Sequence, residues 1–330
     1  MQERRMKMKI KVLYIKPIDV IGFRKSKTFS TTEASIFPNP KTFYGAIFAA
    51  YLRKNKLSVD DIEKIIENKK LSIIGPFLSN AYGEIFFKIP TIVKQNEKTG
   101  KFLKAFVDWN FSFYVNNKKL QGIRYENMRD LKEPKRRYIS LKELEKLKIG
   151  RLDLDNEICE IYKHESKIGV ALKNRKSIDG MLYSLTYYRF EENAGFAFFV
   201  ENDELNILNE LDLIKIGLKG KLARLEIGEV ETSVFDKIND NKKGILLLTP
   251  SYFENGLLPK QDGNIIAIAN YKPESIGFWD LKNNRPGEMF KVVPAGSVYF
   301  IDGDLPNSYK ENFTDKFQEF NFGRYIEIKL

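Results

Sequence analysis

Residues 276–302, near the end of the chain, combine glycines, aromatic rings and cations in one short stretch. Gly277 precedes two aromatic residues, and the following loop, rich in Asn, Pro and Gly, carries Lys282, Arg285 and Lys291. Glycines let backbone amides approach a ligand closely, aromatic rings offer bases a face to stack on, and Lys and Arg neutralise phosphates. Because the stretch holds no nucleophilic dyad and no metal-ligand set, these residue types indicate a surface that binds RNA without cutting it.

A second glycine-containing loop spans residues 217–224, between two predicted strands. Its two glycines and three cations are able to form an anion-binding nest, and the alternative is a plain hairpin turn with solvated lysines. The sequence has no Gly-x-x-x-x-Gly-Lys-Ser/Thr motif, so a phosphate-binding loop of that kind is excluded. We expect both stretches to converge on RNA, with Phe278 or Trp279 stacked on a base, although Trp279 has an alternative place in the core. The candidate residues are Gly217, Lys219, Gly220, Lys221 and Arg224 in this loop and Gly277, Phe278, Trp279, Lys282, Arg285 and Lys291 in the other.

The only histidine, His164, lies in a run that ends in a basic turn. A lone histidine is able to act as general acid or base, but the sequence offers it no paired nucleophile. Lys173, Arg175 and Lys176 are better candidates for contacts with RNA phosphates, the alternative being a solvated loop. Acidic pairs elsewhere lack metal-ligand spacing, which argues against a nuclease or polymerase that uses Mg²⁺. The sequence therefore predicts a protein that is not an enzyme and needs no metal or cofactor.

The composition of the chain agrees with a nucleic-acid partner. The net charge is +11 and the pI about 9.3, a balance that attracts phosphate-bearing partners; a merely lysine-rich surface is the alternative. With 330 residues, 43% of them hydrophobic, the chain has enough apolar material for two domains. Its single cysteine, Cys159, excludes an internal disulfide and a cysteine-based zinc cluster. Because no apolar run reaches about 18 residues and no signal peptide is evident, we expect a soluble cytoplasmic protein.

The first ninety residues have the pattern of an α+β unit. Asn39 is expected to cap a helix that Pro40 begins, and Ser58 with Asp61 forms a capping box for a second helix. The order strand, helix, strand, strand is that of the front half of a ferredoxin-like unit, which RNA-recognition modules also use. The predicted elements are strands at 9–15, 71–78 and 83–89 and helices that begin at Asn39 and Ser58.

From about residue 95 to residue 150 this pattern breaks down. A basic, proline-interrupted run occupies 132–137, and Ser140 with Glu143 is expected to cap a short helix that Gly150 stops. We interpret this segment as an insertion that projects from the first domain.

The second half of the chain is rich in predicted strands and repeats the order strand, helix, strand, strand. Two related units in tandem are the simplest account. The predicted fold is α+β with two tandem ferredoxin-like (RRM-like) domains, at 1–175 with the insertion near 95–150, and at 176–330. The predicted elements are strands at 168–172, 182–190, 195–200, 213–217, 222–230, 244–248, 265–271, 298–301 and 325–328 and a short helix at 203–211.

The helix over 39–52 carries apolar side chains around most of its circumference. One domain core needs only a single stripe of these, so the remainder is predicted to face a second protein; the alternative is that both faces are covered within this chain. The candidate partner residues are Phe43, Tyr44 and Phe48.

Four segments of the sequence give it a family resemblance: Phe37-Pro-Asn-Pro-Lys-Thr-Phe-Tyr-Gly-Ala46; His164-Glu-Ser-Lys-Ile-Gly-Val170 with Gly180-Met-Leu-Tyr183; Ile216-Gly-Leu-Lys-Gly220; and Gly277-Phe-Trp-Asp280 with Pro294-Ala-Gly-Ser-Val-Tyr299. In this order they resemble the RAMP proteins of type III CRISPR effectors, in particular the third subunit of the Cmr complex, of the Cas five-like group. They extend over most of the chain.

This resemblance implies two ferredoxin-like RAMP domains, glycine-rich loops and no catalytic centre. It implies that the chain holds the 5′ repeat-derived tag of a guide RNA, beside the large polymerase-like Cas subunit and neighbouring RAMP subunits, in antiviral defence. Two other functions stay open at this point. One is a RAMP-superfamily endoribonuclease that processes repeat RNA with His164, and the other is a purely structural subunit that binds only protein.

Overall fold

The structure, a computed structural model, describes residues 7–24, 34–35, 38–155, 160–173, 176–280 and 285–330. The α-helices are α1 Pro40–Asn55, α2 Val59–Glu67 and α3 Leu141–Lys148. The strands are β1 Met8–Pro17, β2 Phe23–Arg24, β3 Ala34–Ser35, β4 Leu71–Ser79, β5 Ile85–Lys88, β6 Val93–Asn96, β7 Phe102–Lys104, β8 Phe106–Val115, β9 Lys118–Arg124, β10 Leu131–Lys132, β11 Tyr138–Ser140, β12 Tyr162–Lys173, β13 Lys176–Phe190, β14 Gly195–Asp203, β15 Leu213–Ile216, β16 Lys221–Thr232, β17 Lys242–Leu247, β18 Ile265–Ala269, β19 Glu274–Asp280, β20 Arg285–Val292, β21 Val298–Asp302 and β22 Tyr325–Lys329.

The predicted helix starts are confirmed, and the caps explain them. The side chain of Asn39 accepts a hydrogen bond from the backbone N of Thr42 (3.2 Å), and Pro40 follows at the first helical position. Capping boxes begin the other two helices, at Ser58 for α2 and at Ser140 for α3. These short-range hydrogen bonds depend on the sequence within four residues, which is why the pattern predicts them well.

Two large sheets carry the architecture. The first has the order β11-β5-β4-β14-β1-β16-β15 and the second β22-β17-β21-β18-β9-β8. Each contains a set of four neighbouring antiparallel strands, β16-β1-β14-β4 in the first sheet and β22-β17-β21-β18 in the second. If the four strands of a set are numbered along the chain, both sets have the spatial order fourth, first, third, second. The chain thus builds the same strand arrangement twice.

The strand pairing does not follow the predicted domain boundary at 175/176. Strands of the first sheet extend to Thr232 and those of the second begin again at Lys242, so the change of sheet falls at 233–241. The third strand of the first sheet, β14, follows the second, β4, only after the insertion over 80–194. Pairing over such a distance leaves no local trace in the sequence, which is why the boundary was misplaced.

The segment near 95–150 does not project from the first domain, contrary to the prediction. β8 and β9 extend the second sheet beside β18, whereas β11 pairs with β5 at the edge of the first. The fully buried side chains of Leu144 and Leu147 on α3 belong to the core between the sheets. The segment therefore ties the two sheets together.

The sheets pack face to face, and their central strands are buried on both sides. Along β1, Val12 points into the core between the sheets, and Leu13 points into the core beneath α1 and α2. In β14 the same alternation places Phe198 beneath the helices and Phe199 between the sheets. A third core, with Tyr299 at its centre, covers the outer face of the second sheet.

The helix predicted at 203–211 is wrong, because Asp203 ends β14 and the residues after it form turns. The carboxylate of Asp203 accepts hydrogen bonds from the backbone N of Ile207 (2.7 Å) and of Leu208 (3.1 Å). Asn206 adopts a left-handed conformation with φ of 55°, which a right-handed helix does not allow. Leu208 and Leu211 are nevertheless buried, whereas Leu205 is 40% exposed, so the apolar pattern indicated burial at two of its three leucines but not the backbone geometry.

The prediction that Phe43, Tyr44 and Phe48 face a partner protein is also wrong, because all three are buried within this chain. The ring of Phe43 packs on Phe196 of the first sheet, with centroids 5.1 Å apart. On another side of α1, Tyr44 packs against Phe320 of the loop between β21 and β22 (5.5 Å). The second half of the chain therefore covers the face that a partner was expected to cover.

Candidate functional site

A cleft of about 720 Å³ lies where the two halves of the chain meet. The start of α1 contributes Pro38 and Asn39, and Tyr188 of β13 lines another wall. The second half contributes Ile276, at the base of the β19–β20 hairpin, and the turn at 294–295. Two of the four segments that carry the family resemblance, at 37–46 and 294–299, therefore meet at one place.

The Pro-Ala-Gly-Ser turn holds the second half against the end of β5. Gly296 has φ of 86°, and a Cβ atom there would lie 2.9 Å from the ring of Tyr271 and 3.0 Å from the carbonyl of Ile89. The hydroxyl of Thr91 donates to the carbonyls of Gly296 (3.2 Å) and Ala269 (2.7 Å). Glycine is thus required here by close packing between the two halves.

A basic segment forms one rim of the cleft. Arg136 is buried and makes a bidentate ion pair with Glu143 (2.7 and 2.8 Å) and another ion pair with Asp155 (2.7 Å). Its neighbours Lys135 and Arg137 are exposed, line the cleft, and form no ion pair with any residue that the structure describes. The anchored arginine therefore presents two unpaired cations to the cleft.

Lys88 and Tyr271 form part of the wall. The Lys88 ammonium lies 4.1 Å from the centroid of the Tyr271 ring and 3.7 Å from the carboxylate of Glu274. Burial lowers the pKa of Lys88 below its ordinary value, while Glu274 opposes this shift. The Tyr271 hydroxyl donates to the carbonyl of Ile89 (2.7 Å), and burial raises its pKa. Lys88 therefore has a carboxylate partner, whereas Lys135 and Arg137 on the rim have none among the described residues.

The first glycine loop, at 217–224, contains the turn of the β15–β16 hairpin. This agrees with the alternative given for it from the sequence, a plain hairpin turn. A Cβ atom on Gly217 (φ 73°) would lie 2.7 Å from the carbonyl of Gly22, and Leu218 N donates to this same carbonyl (2.7 Å). Lys219 and Gly220 complete the turn with positive φ angles. The conformation of Gly217 is therefore explained by a contact within the chain.

The cations of this loop do not converge as predicted. Lys221 forms an ion pair with Asp19 (2.8 Å), and this hydrogen bond lowers the pKa of Asp19 to about 2. Arg224 lies three positions further along β16, so the two side chains point to opposite faces of the strand. Ala223, on the face of Lys221, is buried, whereas Arg224 is exposed. The two cations cannot contact the same phosphate.

The second predicted stretch forms a hairpin, β19–β20, rather than a loop. Gly277 lies opposite Met289, whose sulfur would be 2.6 Å from a Cβ atom on the glycine. Lys291 is exposed and lies opposite Ser275. Lys282 lies outside the described residues, as do the side chains of Phe278, Trp279 and Arg285.

The third predicted group lies on the β12–β13 ribbon. Lys176 is exposed and lies opposite Lys173 at the end of the ribbon, while Arg175 is outside the described residues. The exposed His164 ring lies 5.0 Å from that of Tyr188, nearer the base. Tyr188 of this ribbon lines the cleft, and its backbone pairs with Ile21.

Sequence reasoning missed Lys88, Lys135 and Arg137 as members of a site. The basic run at 132–137 was visible, but it was assigned to a projecting segment. No group of three or more potential metal ligands occurs in the part of the chain that the structure describes. Within the same residues, no helix is long and apolar enough to cross a membrane.

Solved structures with a similar fold include two of a type III-B CRISPR complex. Type III-B Cmr-beta bound to cognate target RNA and AMPPnP matches with a TM-score of 0.54, 19% identity, and coverage of 88% of this chain and 86% of that chain. Type III-B Cmr-beta bound to cognate target RNA matches with a TM-score of 0.53 and the same identity and coverage. At this identity the likeness establishes a shared fold.

The family comparison agrees with the resemblance found in the sequence. A search of curated proteins gave no match. The family model described as "CRISPR-associated protein (Cas_Cmr3)" matches residues 13–323, nearly the whole chain. The predicted family is thereby confirmed: the chain belongs to the Cas_Cmr3 family of CRISPR-associated proteins.

Proposed function

We propose that the chain is a non-catalytic RNA-binding subunit of a cytoplasmic type III-B CRISPR effector ribonucleoprotein. In this role it holds the 5′ repeat tag of the guide RNA and docks on the large polymerase-like Cas subunit, beside neighbouring RAMP subunits, in antiviral RNA-targeting defence. The observation that carries the proposal is the cleft. Two family segments meet there, and its rim presents Lys135 and Arg137 without carboxylate partners among the described residues.

The rim and the helix start fit the chemistry of an RNA backbone. Lys135 and Arg137 are able to neutralise phosphates. The first turn of α1 opens into the cleft at Asn39, and the positive end of a helix dipole favours an anion there. The cleft wall at Tyr188 and Tyr271 adds aromatic surface for a base.

The fold proposed for this function is a pair of ferredoxin-like, RRM-like RAMP domains with glycine-rich loops. The repeated strand order fourth, first, third, second supports it, since the split βαβ motif has this arrangement. In the first domain α1 connects the first and second strands, and the turns at 204–211 connect the third and fourth. The second domain, in its described residues, has turns between its first and second strands and two short 3₁₀ helices, Asn307–Tyr309 and Gln318–Phe320, between its third and fourth.

The docking surface for the large subunit differs from the one the sequence suggested. Because α1 is covered within the chain, a partner must contact other surfaces. The β12–β13 ribbon is a candidate, since it carries the exposed apolar side chains Ile168 and Val170. Co-purification with the neighbouring subunits, followed by sequencing of the bound RNA, tests the assignment to an effector complex.

We expect His164→Ala to leave assembly and RNA processing within a few-fold of the unaltered protein. The His164 ring contacts Tyr162 and Tyr188 rather than a nucleophile. Cleavage of repeat RNA by the purified complex measures this. A loss of more than about 100-fold, the scale of a missing general acid or base, would favour the endoribonuclease alternative.

We expect Lys135→Ala/Arg137→Ala to weaken RNA binding and to reduce the log–log salt slope by about 1.4, or about 0.7 for each lost phosphate contact. The probe is a synthetic copy of the guide RNA identified by sequencing, and the measurement is fluorescence anisotropy at several salt concentrations. Arg53→Ala/Lys64→Ala is the matched control, because it removes the same two charges from exposed positions on α1 and α2.

Three results distinguish the possibilities for the cleft. A reduced slope in the cleft variant alone supports it as the RNA site. Equal effects of both double variants would mean that only total charge matters, and the cleft proposal would then fail. An unchanged affinity in both would favour the purely structural subunit.

A further inference from the structure

Strand β8, at the edge of the second sheet, exposes a row of aromatic rings that the cleft does not use. It pairs with β9 on one side and forms the end of the sheet on the other. Tyr114 is 71% exposed and Trp109 55% exposed. Isolated exposed apolar residues are common on proteins, but five exposed aromatic rings on one strand need an explanation. The exposed rings are Phe106, Trp109, Phe111, Phe113 and Tyr114.

The rings are held in place by local structure. The register between β8 and β9 shifts between Asp108 and Ser112, which leaves 109–111 without partners in that ladder. The Asp108 carboxylate accepts from the backbone N of Asn110 (3.0 Å) within this bulge. A Cβ atom on Gly122 of β9 would lie 2.4 Å from the ring of Phe111, so the glycine makes room for this ring over the strand. The bulge thus directs aromatic side chains outward.

Cations alternate with these rings. The Lys242 ammonium lies 4.6 Å from the centroid of the Trp109 ring, and the Arg124 guanidinium 5.8 Å from that of Phe106. Both pairs line a hollow of about 430 Å³. Lys119 lies directly opposite Tyr114 on β9. Among the described residues, none of these three cations forms an ion pair, so each is available to a phosphate.

The surface fits a single-stranded nucleic acid better than a protein. Protein interfaces have an apolar centre that is depleted in Lys, whereas here Lys119 and Lys242 lie among the rings and polar Asn110 and Ser112 separate them. Single-strand binding surfaces combine aromatic faces for successive bases with unpaired cations for the backbone. The bulge at 109–111 also discourages addition of a further strand to this edge.

We propose that β8 and its neighbours form a second RNA-binding surface, a stacking platform for a single-stranded segment. Bases stack on Trp109 and Phe111, and the backbone phosphates lie against Arg124 and Lys242, which line the same hollow as Trp109. The surface recognises single-stranded RNA without sequence preference, since every base has a face to stack. It is separate from the cleft and does not depend on the tag-binding role proposed there.

The test measures binding of the purified chain to a fluorescein-labelled single-stranded oligouridylate of about 12 nucleotides, by anisotropy against salt concentration. Trp109→Ala/Phe111→Ala is expected to weaken binding by about 10-fold or more with little change in salt slope. Arg124→Ala/Lys242→Ala is expected to reduce the slope by about 1.4. Tyr82→Ala is the matched control, because this ring is 94% exposed elsewhere and should leave binding unchanged.

A second measurement covers the case in which a variant is unstable. Trp109 and Trp279 are the only tryptophans, so in a Trp279→Phe protein the fluorescence reports Trp109 alone. The oligouridylate should quench it, since a stacked base contacts the indole. Loss of binding in the cleft variant Lys135→Ala/Arg137→Ala with normal binding in the β8 variants would overturn this proposal and leave the cleft intact. Unchanged RNA binding with impaired co-assembly in the β8 variants would assign the surface to a protein partner instead, which also overturns it.

Discussion

A Tyr44→Asp variant should fail to fold when it is produced alone. Tyr44 is only 1% exposed, and its hydroxyl accepts from the backbone N of Ile73 (2.8 Å) and from the side-chain amide of Asn321 (3.3 Å). A carboxylate here would be an unpaired buried charge, which costs several kcal/mol, and the aromatic packing on Phe320 would also be lost. Together these losses are comparable with the whole stability of an ordinary domain, about 5–15 kcal/mol. Solubility and thermal melting by circular dichroism measure the outcome.

Two further variants show whether the loss of stability comes from the introduced carboxylate itself or from its buried position. Tyr82→Asp introduces the same carboxylate at a position 94% exposed, and its melting curve should be unchanged. Tyr44→Phe keeps the ring and removes only the hydroxyl. The backbone N of Ile73 then loses this acceptor, while the Asn321 amide keeps its bonds to Ser72 (2.8 Å) and to the carbonyl of Ile73 (3.1 Å), so we expect a loss of about 1–3 kcal/mol. A Tyr44→Asp protein that melts normally but no longer assembles with its partners would restore α1 as a docking surface.

Glu143→Ala should lower the free energy of unfolding by about 3–5 kcal/mol, the usual cost of removing one partner from a buried ion pair. The Glu143 carboxylate receives both Arg136 hydrogen bonds and also accepts from the backbone N of Ser140 (2.7 Å), which caps α3. Its removal leaves the buried guanidinium with only Asp155 as an anionic partner among the described residues. Urea unfolding followed by circular dichroism measures the change.

The matched control for this variant is Asp153→Ala. Asp153 forms an ion pair (2.6 Å) with Lys146 of α3, the helix that also carries Glu143, but both side chains of this pair are exposed. Exposed pairs contribute about 0–1 kcal/mol. If the two variants lose similar stability, Arg136 does not anchor the basic rim as we describe.

Features that depend on neighbouring residues, such as helix caps, were predicted from the sequence. Features that depend on contacts between residues far apart in the sequence were not. Asn39, Ser58 and Ser140 each bond to the backbone three residues away, and all three helix starts were found. The helix predicted at 203–211 failed although Leu208 and Leu211 are buried, since turns that Asp203 stabilises also bury residues at this spacing.

The partner prediction for α1 failed for a different reason. A sequence shows that a helix is apolar on two sides but not what covers the second side. Here Phe320, almost 280 residues after Tyr44 along the chain, provides that cover. The same limit misplaced the domain boundary, because β14 joins β4 across a long insertion.

The candidate site was predicted in part. The turn at 294–297 and the helix start at Asn39 were singled out, and the structure brings both to the cleft. The cations of the two glycine loops were chosen by composition, yet the strand alternation of β16 separates Lys221 from Arg224. Lys135 and Arg137 lie at the cleft because the residue between them, Arg136, is anchored by Glu143. Residue spacing in the sequence does not predict this ion pair.

The position of β8 and β9 in the second sheet has a consequence for how the protein is made. Gln121 of β9 pairs with Ala267 of β18, so roughly 150 residues must be synthesised before this strand meets its neighbour. At ribosomal rates of about 5–20 residues per second, the aromatic hairpin waits on the order of ten seconds with both edges open. The nascent chain is therefore most exposed to misassociation midway through translation, and a slow stretch of message after β9 would lengthen this interval.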